Sequence, residues 1–276
     1  MMSENLKALA YEIREKALEI IYSGKTGHIG GDFSEAEILT TLYFHVMNIS
    51  PENMDDPDRD YFILSKGHSM ESYYAVLSKK GFLDYDDVVS RYSRAGSPYI
   101  GHPNNKLPGI EMNSGSLGHG LPVSVGIALA LKMDGRTNRV YTLMGDGELA
   151  EGSVWEGFMS GSHYKLDNLT AVIDRNGLQI SGSTEDVMHH EDLAERIRSF
   201  GWHVIRTAGN DVDALIRAFD EAKETKGCPT AIIADTTKGK GVSFIENIAG
   251  WHHRVPTEEE YLRMKQELRE KREALL

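Results

Sequence analysis

Two oxygen-bearing side chains stand thirty residues apart, each after a predicted strand. The stretch Gly145-Asp146-Gly147 follows the apolar run 140–144, and Asn176 follows a second run of the same kind. Because open α/β sheets bind ligands beyond the carboxyl ends of their strands, we expect the two side chains to meet there. Carboxylate and amide oxygens suit Mg²⁺ or Ca²⁺, and glycine lets a phosphate approach the backbone. The sequence therefore predicts a divalent cation that holds a diphosphate. For Gly145-Asp146-Gly147 taken alone, an ordinary strand-to-helix turn rich in Gly and Asp is an equal alternative.

Four histidines form a second group of candidate residues. His28, His68, His102 and His252 each stand in a glycine-rich or polar stretch where a loop is expected. They lack the i, i+4 spacing of a zinc-binding helix, so a metal cluster is the weaker interpretation. Gathered around a polar substrate, imidazoles with near-neutral pKa values could donate hydrogen bonds and move protons. For any one of them, a purely structural role in a loop stays open.

Length, charge and cysteine content narrow the function classes. The 276 residues suit one large α/β domain, and the formal net charge of −12 disfavours nucleic acid or an anionic membrane as a partner. Cys228 is the only cysteine, so an internal disulfide is excluded and a reducing compartment is favoured. No apolar run is long enough to span a membrane, and the first residues lack a signal-peptide pattern. We therefore expect a cytoplasmic protein.

Alternating helical and strand patterns predict a single domain over residues 1–276. The fold class is α/β, with a mostly parallel sheet covered by helices on both faces. Capping boxes are predicted at Ser34/Glu37 and at Thr257/Glu260, where the second opens a charged C-terminal helix that should face solvent or a partner. The predicted helices lie near 4–23, 69–80, 122–133, 152–164 and 211–226, and the strands near 61–65, 140–144, 169–174, 202–205 and 230–234.

Seven separated motifs occur together in this chain, over about residues 10 to 256. In this combination and order the chain resembles the N-terminal, diphosphate-binding part of transketolase. The resemblance implies the thiamine diphosphate-binding fold, in its diphosphate-binding form. The motifs are Lys25-Thr26-Gly27-His28-Ile29-Gly30-Gly31, Leu64-Ser65-Lys66-Gly67-His68, Gly101-His102-Pro103, Ser114-Gly115-Ser116-Leu117-Gly118, Gly145-Asp146-Gly147-Glu148-Leu149-Ala150-Glu151-Gly152, Asp174-Arg175-Asn176-Gly177-Leu178 and Lys238-Gly239-Lys240-Gly241.

The resemblance also implies a cofactor and its ligands. Asp146, Asn176 and the backbone carbonyl of Leu178 would hold Mg²⁺ or Ca²⁺, which would bridge the two phosphates of thiamine diphosphate. Gly147 would offer its backbone N–H to the diphosphate, and Leu117 would pack on the cofactor. The full set implied to bind the cofactor is His68, Gly115, Ser116, Leu117, Gly147, Glu148, Asn176 and His252.

Catalytic roles follow from the same resemblance. His28 and His102 would face the substrate, and His252 would act beside them. Glu151 and Glu156 would join a carboxylate network between active sites, although ordinary surface charges remain the alternative for both. The implied activity is the transfer of a two-carbon ketol unit from a ketose or ketose phosphate to an aldose. The cofactor supplies the carbanion chemistry, and the histidines would donate and remove protons.

One half of such an enzyme is missing from the chain. In the family a second, pyrimidine-binding domain completes the cofactor site, and no second α/β block follows here. The resemblance therefore implies a split transketolase whose C-terminal, pyrimidine-binding subunit is a separate chain, in a heterotetramer. A cloned fragment of a longer enzyme would look the same. The alternatives are an α-type subunit of a 2-oxo acid dehydrogenase, a protein like deoxyxylulose phosphate synthase, or a non-catalytic module with this fold.

Several positions near the expected pocket depart from the family pattern. Ser116 replaces a frequent proline, His119 replaces a usual glutamine, and Ser69-Met70-Glu71-Ser72 replaces an alanine-rich helix start. His253-Arg254 stand where Gly-Lys is common. Because of these differences, the identity of the donor sugar stays open, and a modified sugar is among the candidates.

Overall fold

A parallel five-stranded sheet lies at the centre of the structure, a computed structural model that describes residues 2–190 and 192–276. The strand order is β1-β2-β3-β7-β6, and β4 and β5 form a separate antiparallel pair. The predicted α/β class with a mostly parallel sheet is confirmed. The strands are β1 (Tyr61–Leu64), β2 (Val140–Gly145), β3 (Leu169–Arg175), β4 (Leu178–Gln179), β5 (Gly182–Ser183), β6 (His203–Ala208) and β7 (Thr230–Asp235).

Helices flank the sheet. None of those described is both long and apolar enough to cross a membrane. The helices are α1 (Met2–Gly24), α2 (Ile29–Ser34), α3 (Ala36–Thr41), α4 (Met70–Lys80), α5 (Tyr85–Arg91), α6 (Gly120–Met133), α7 (Gly152–His163), α8 (Thr184–Val187), α9 (Leu193–Ser199), α10 (Val212–Glu224) and α11 (Glu258–Glu273), with shorter 3₁₀ turns at Pro51–Asn53, Gly147–Ala150 and Ala249–Trp251 and a π turn at Leu42–Val46. The five whose bounds were predicted, α1, α4, α6, α7 and α10, lie within a few residues of those bounds.

Alternate residues of each strand enter two separate cores, because successive side chains point to opposite faces of a sheet. On one face Tyr141 and Leu143 pack in the core that contains α1, α3, α4 and α10. On the other face Val140 and Met144 pack in the core that contains α6, α7 and α9. Burial on both faces explains why the strands are continuous apolar runs. The two cores fix the strand ends, and therefore the loops that follow them.

One of the two predicted capping boxes is absent and the other is present, and the expected solvation of the C-terminal helix needs correction. Ser34 is the last residue of α2, and its hydroxyl donates to the Gly31 carbonyl and to Asp174, so the predicted Ser34/Glu37 capping box is wrong. The Thr257/Glu260 capping box is present. The C-terminal helix α11 is charged but not wholly solvated, because Met264 and Leu268 are buried beside α1.

Candidate active site

A cleft of about 400 Å³ lies beyond the carboxyl ends of the strands. Since all strands of the main sheet are parallel, the residues that follow β1, β2, β3 and β7 converge on one edge. The cleft brings together most of the sequence-predicted site residues. Its lining is His28, Gly31, Lys66, His68, Gly115, Leu117, Gly145, Asp146, Gly147, Glu148, Asn176, Leu178, Gln179, Ile180, Ser181, Lys238 and His252.

The three predicted metal ligands lie close together at the ends of β2 and β3. The buried Asp146 carboxylate accepts hydrogen bonds from the Gly147 N–H at 2.9 Å and the Gly177 N–H at 2.6 Å. The Asn176 side-chain oxygen accepts from the Leu178 N–H at 3.2 Å. Burial, reinforced by the charge of Asp174, raises the pKa of Asp146. The Arg175 guanidinium lies 3.1 Å from the Asp146 carboxylate and offsets part of this cost, and a divalent cation would offset more of it.

Lys238 contributes a positive charge that the sequence interpretation missed. Its ammonium donates to the Leu178 carbonyl at 2.8 Å and lies 2.9 Å from Nδ1 of His252. The side chain is only 2% exposed, and burial together with the nearby Lys66 lowers its pKa to about 8. The sequence feature that could have indicated this role is the position of Lys238, three residues after the end of β7 and at the same sheet edge as Asp146.

Lys66 and Asp174 form a buried ion pair beneath the cleft, and neither was predicted as a site residue. The Lys66 ammonium lies 2.5 Å from the Asp174 carboxylate and 2.9 Å from Glu35. Burial alone would raise the pKa of Asp174, but Lys66 and several hydrogen bonds hold it low. Asp174 also accepts from the Asn176 amide NH₂ at 3.1 Å. That bond fixes the Asn176 amide with its oxygen free of Asp174, as a metal ligand requires.

The predicted histidines cluster together at the cleft. The His28 ring centroid lies 5.1 Å from that of His68, 5.5 Å from His252 and 6.4 Å from His102. Sequence reasoning assigned no role to His253, whose ring lies 4.5 Å from His28. Burial lowers the pKa of His28 to about 4 and, with the charge of Lys238, that of His252 to about 3. The expected near-neutral pKa values are therefore corrected downward, and each neutral ring offers one donor and one acceptor.

A close backbone approach places His102 in this cluster. Gly115 has φ +118°, and a Cβ there would lie 2.2 Å from the His102 ring. Only glycine fits, because this backbone conformation and this contact both exclude a side chain. Leu117 lines the cleft two residues later, whereas Ser116 is exposed and does not line it.

Glu148 ties the loops around the cleft to one another. Its buried carboxylate accepts from the Ser65 hydroxyl, from the Gly118 N–H at 2.8 Å and from the Gly145 N–H at 3.1 Å. Burial raises the pKa of Glu148 despite these bonds. The side chain therefore has a clear part in shaping the cleft, and its predicted contact with the cofactor stays a prediction.

The two predicted interface glutamates lie outside the cleft. Glu151 precedes α7, Glu156 lies within that helix, and both are exposed. Their predicted carboxylate network with a second active site is untested by this arrangement. Within the described part of the chain, no three His, Cys, Asp or Glu side chains are placed to share a metal ion. The histidine cluster therefore shows no protein-only metal site of that type.

Comparison with known proteins gives this arrangement a family. The family described as "Transketolase, thiamine diphosphate binding domain" matches residues 6–273. The chain belongs to the transketolase family. It is 47% identical over 275 residues to one of the apulose-4-phosphate transketolase subunits of Phocaeicola vulgatus, covering 100% of this chain and 98% of that subunit.

Two further relatives are similar over nearly all of this chain, one of them a subunit of similar length and the other a longer enzyme. A 6-deoxy-6-sulfo-D-fructose transketolase subunit of Clostridium is 40% identical, over 92% of this chain and 93% of that protein. Transketolase from Campylobacter jejuni superposes with a TM-score of 0.90 at 26% identity, over 98% of this chain and 45% of that one. The motifs predicted a transketolase-family chain with a thiamine diphosphate-binding domain, and the comparisons confirm this prediction. They give no support to the alternative enzyme classes or to a non-catalytic module.

Proposed function

We propose that this chain is the first subunit of a two-chain transketolase that moves a two-carbon ketol unit from a ketose phosphate to an aldose. The observation that carries the proposal is the convergence of Asp146, Asn176 and the histidines on one strand-end cleft. The chain aligns with nearly all of the Phocaeicola transketolase subunit and with about half of a single-chain transketolase, which supports a separate partner. Cytoplasmic location belongs to the same proposal and is supported by the single cysteine.

The residues of the cleft fit thiamine diphosphate with Mg²⁺ or Ca²⁺. A diphosphate needs positive charge, which Lys238 and a divalent cation on Asp146, Asn176 and the Leu178 carbonyl would supply. The His28 ring has a buried Nδ1 without a hydrogen-bond partner among the described residues, so a polar group is expected beside it. When bound, the cofactor supplies the carbanion chemistry that breaks and forms the carbon–carbon bond.

The histidines of this chain would hold and move protons at the substrate oxygens. His28 and His102 face one another across the mouth of the cleft, and the low pKa of His28 keeps its ring neutral near pH 7. A neutral ring can donate its N–H to a carbonyl oxygen and accept a proton at its other nitrogen. His68 and His252 lie deeper, beside the two lysines, and would donate to the diphosphate.

The partner subunit would hold the aminopyrimidine end of the cofactor. Ile180 lines the cleft and is 75% exposed, so its side chain is available for contact with such a subunit. We expect the lone chain to show no ketol transfer with saturating cofactor and Mg²⁺, and to gain it when a pyrimidine-domain subunit is added. Coupled measurement of aldose formation checks this. Full activity of the lone chain would contradict the two-chain proposal.

The identity of the donor sugar is the most specific part of the proposal. Because a relative that is 47% identical is named for apulose 4-phosphate, that ketose phosphate is the first donor to test. Xylulose 5-phosphate and the 6-deoxy-6-sulfo sugar named for the second relative complete a panel of three. A kcat/KM at least about tenfold higher for one donor, a difference of about 1.4 kcal/mol in transition-state binding, would identify it.

Replacing Lys238 with glutamine should weaken cofactor binding roughly 10- to 100-fold. A hydrogen bond to a charged group contributes about 1.5–3 kcal/mol, and Lys238→Gln removes the charge at the end of the cleft. The measurement is a calorimetric titration of the assembled enzyme with thiamine diphosphate at fixed Mg²⁺. Lys240→Gln is the matched control, because Lys240 is the next lysine along and does not line the cleft. Equal affinities in the two variants would remove Lys238 from the diphosphate site.

A further inference from the structure

A pair of buried carboxyl groups lies beside the histidine cluster and is not used by the cofactor contacts above. Asp32 stands in α2 and Glu71 in the first turn of α4, and both side chains are fully buried. Asp32 Oδ2 and Glu71 Oε2 have no donor among the described residues, yet the two side chains are in hydrogen-bond contact with each other. Two carboxylate oxygens can satisfy each other only when one of them carries a proton.

The other oxygen of each carboxyl group is already fixed. Asp32 Oδ1 accepts the Ser72 N–H at 2.7 Å, and Glu71 Oε1 accepts the Tyr92 hydroxyl. The first bond comes from the N-terminus of α4, where an unpaired N–H group stabilises one negative charge. These contacts occupy one oxygen of each carboxyl group and leave the two facing oxygens to share whatever proton is present.

Among the described residues, no positive charge is paired with the two carboxyl groups to support a second carboxylate. The nearby Lys66 ammonium pairs with Glu35 and Asp174. The other titratable groups that face the pair are Glu35, Tyr74 and Tyr92, together with the backbone of His28. Burial raises the pKa of Glu71 to about 7, and burial with the charge of Glu71 raises that of Asp32. The pair therefore binds a proton under conditions in which exposed carboxyl groups are ionised.

The same two residues hold the backbone of His28 from both sides. The Asp32 N–H donates to the His28 carbonyl at 3.2 Å, and the Glu71 carboxyl interacts with the His28 N–H. Glu71 Oε1 also lies 2.6 Å from the position a Cβ would take on Gly27, whose φ is +152°. The turn that presents His28 to the cleft therefore rests directly on the carboxyl pair.

We propose that Asp32 and Glu71 share one proton and act as positioning residues that hold the His28 turn against the cleft. The role assigned to His28 rests on the proposed function, whereas the shared proton does not. When both groups ionise, the repulsion between them acts on the turn that carries His28. A group that takes up a proton on folding stabilises fully below its ordinary pKa of 4.5, and this contribution is lost as the pH rises toward 7.

The first test is thermal unfolding of the full chain between pH 5 and pH 8. Asp32→Asn keeps an N–H donor for Glu71 and removes the need for the proton. From pH 5 to pH 8 the Tm of this variant should therefore decrease less than the Tm of the unaltered chain, and the two decreases should differ by roughly 5 °C or more. Asp55→Asn is the matched control, because Asp55 is exposed and its loss changes net charge equally. Parallel pH profiles of the unaltered chain and Asp32→Asn would overturn the shared proton.

An infrared measurement tests the proton directly. The carbonyl band of a protonated carboxyl group should appear in the difference spectrum between the unaltered chain and Asp32→Asn at pH 6. The difference removes the contribution of buried Glu35, whose pKa is raised to about 7 in both proteins. Glu71→Gln, which preserves the side-chain volume, should give the same difference band. Absence of the band from both difference spectra would show that the pair holds no proton. These readouts stand even if the assembled protein proves to have no ketol-transfer activity.

Steady-state kinetics of the assembled enzyme test the positioning role. Asp32→Ala should lower kcat by roughly 10²-fold through misplacement of His28, with the affinity for thiamine diphosphate unchanged, and Asp32→Asn should restore most of it. In a His28→Ala background the same Asp32→Ala change should have little further effect on kcat. Equal losses in both backgrounds, or loss of cofactor affinity instead of kcat, would show that the pair does not act through His28.

Discussion

Replacing Asp146 with asparagine should weaken Mg²⁺-dependent binding of thiamine diphosphate by about 10²-fold or more. The substitution keeps one acceptor oxygen, which can serve either the Gly147 or the Gly177 N–H but not both, and it removes the charge that a divalent cation needs. The substitution also removes the partner of Arg175, whose guanidinium lies 3.1 Å from the Asp146 carboxylate, so the loss of stability must be measured separately from the loss of affinity. Titration with cofactor at several Mg²⁺ concentrations gives the affinity, and thermal unfolding checks the fold.

Asn176 provides an independent check on the same site. Asn176→Ala removes the side-chain oxygen that faces the strand-end cleft, and it should produce a loss of cofactor affinity of the same kind. Asn168→Ala is the matched control, since Asn168 precedes the same strand at its opposite end and donates to the Ala128 carbonyl. If neither the Asp146 nor the Asn176 variant changes the affinity for thiamine diphosphate or its Mg²⁺ dependence, the metal assignment is wrong.

Replacing His102 with alanine should reduce turnover of the assembled enzyme by roughly 10²–10⁴, the range for lost acid–base assistance. His102 lies at the mouth of the cleft, 6.4 Å from the His28 ring, and Gly115 holds it there. His102 is not among the residues that line the cleft with Lys238 and Asp146, so cofactor affinity should change much less than kcat. Steady-state kinetics with saturating and limiting cofactor separate the two quantities.

His68 should show the opposite division of effects. It lines the deeper part of the cleft, where burial and the charge of Lys66 depress its pKa and keep the ring neutral. His68→Ala should therefore raise the Kd for the cofactor more than it lowers kcat at saturation. His163→Ala, an exposed histidine at the end of α7, is the control. If the His68 and His102 variants change affinity and rate in the same proportion, the assigned roles are wrong.

The sequence by itself determined the architecture and the position of Asp146 and Asn176 at the strand ends. Alternating patterns located the five strands of the main sheet, and Asp146 and Asn176 follow two of them directly. Such residues can be placed from local pattern alone, because parallel strands bring their carboxyl ends to one edge. The loop histidines were found in the same way, although their pKa values were not, because burial and neighbouring lysines depend on segments distant in the chain.

Only the tertiary structure decided which charged groups are buried together. Lys66 pairs with Asp174 across 108 positions of sequence, and Lys238 reaches the Leu178 carbonyl across 60. Asp32 and Glu71 look like ordinary helix charges in the sequence, since local periodicity cannot show that two helices place their carboxyl groups in contact. Packing of α2 and α4 beside the end of β1 removes these groups from water, and desolvation then changes their protonation and the role they can play.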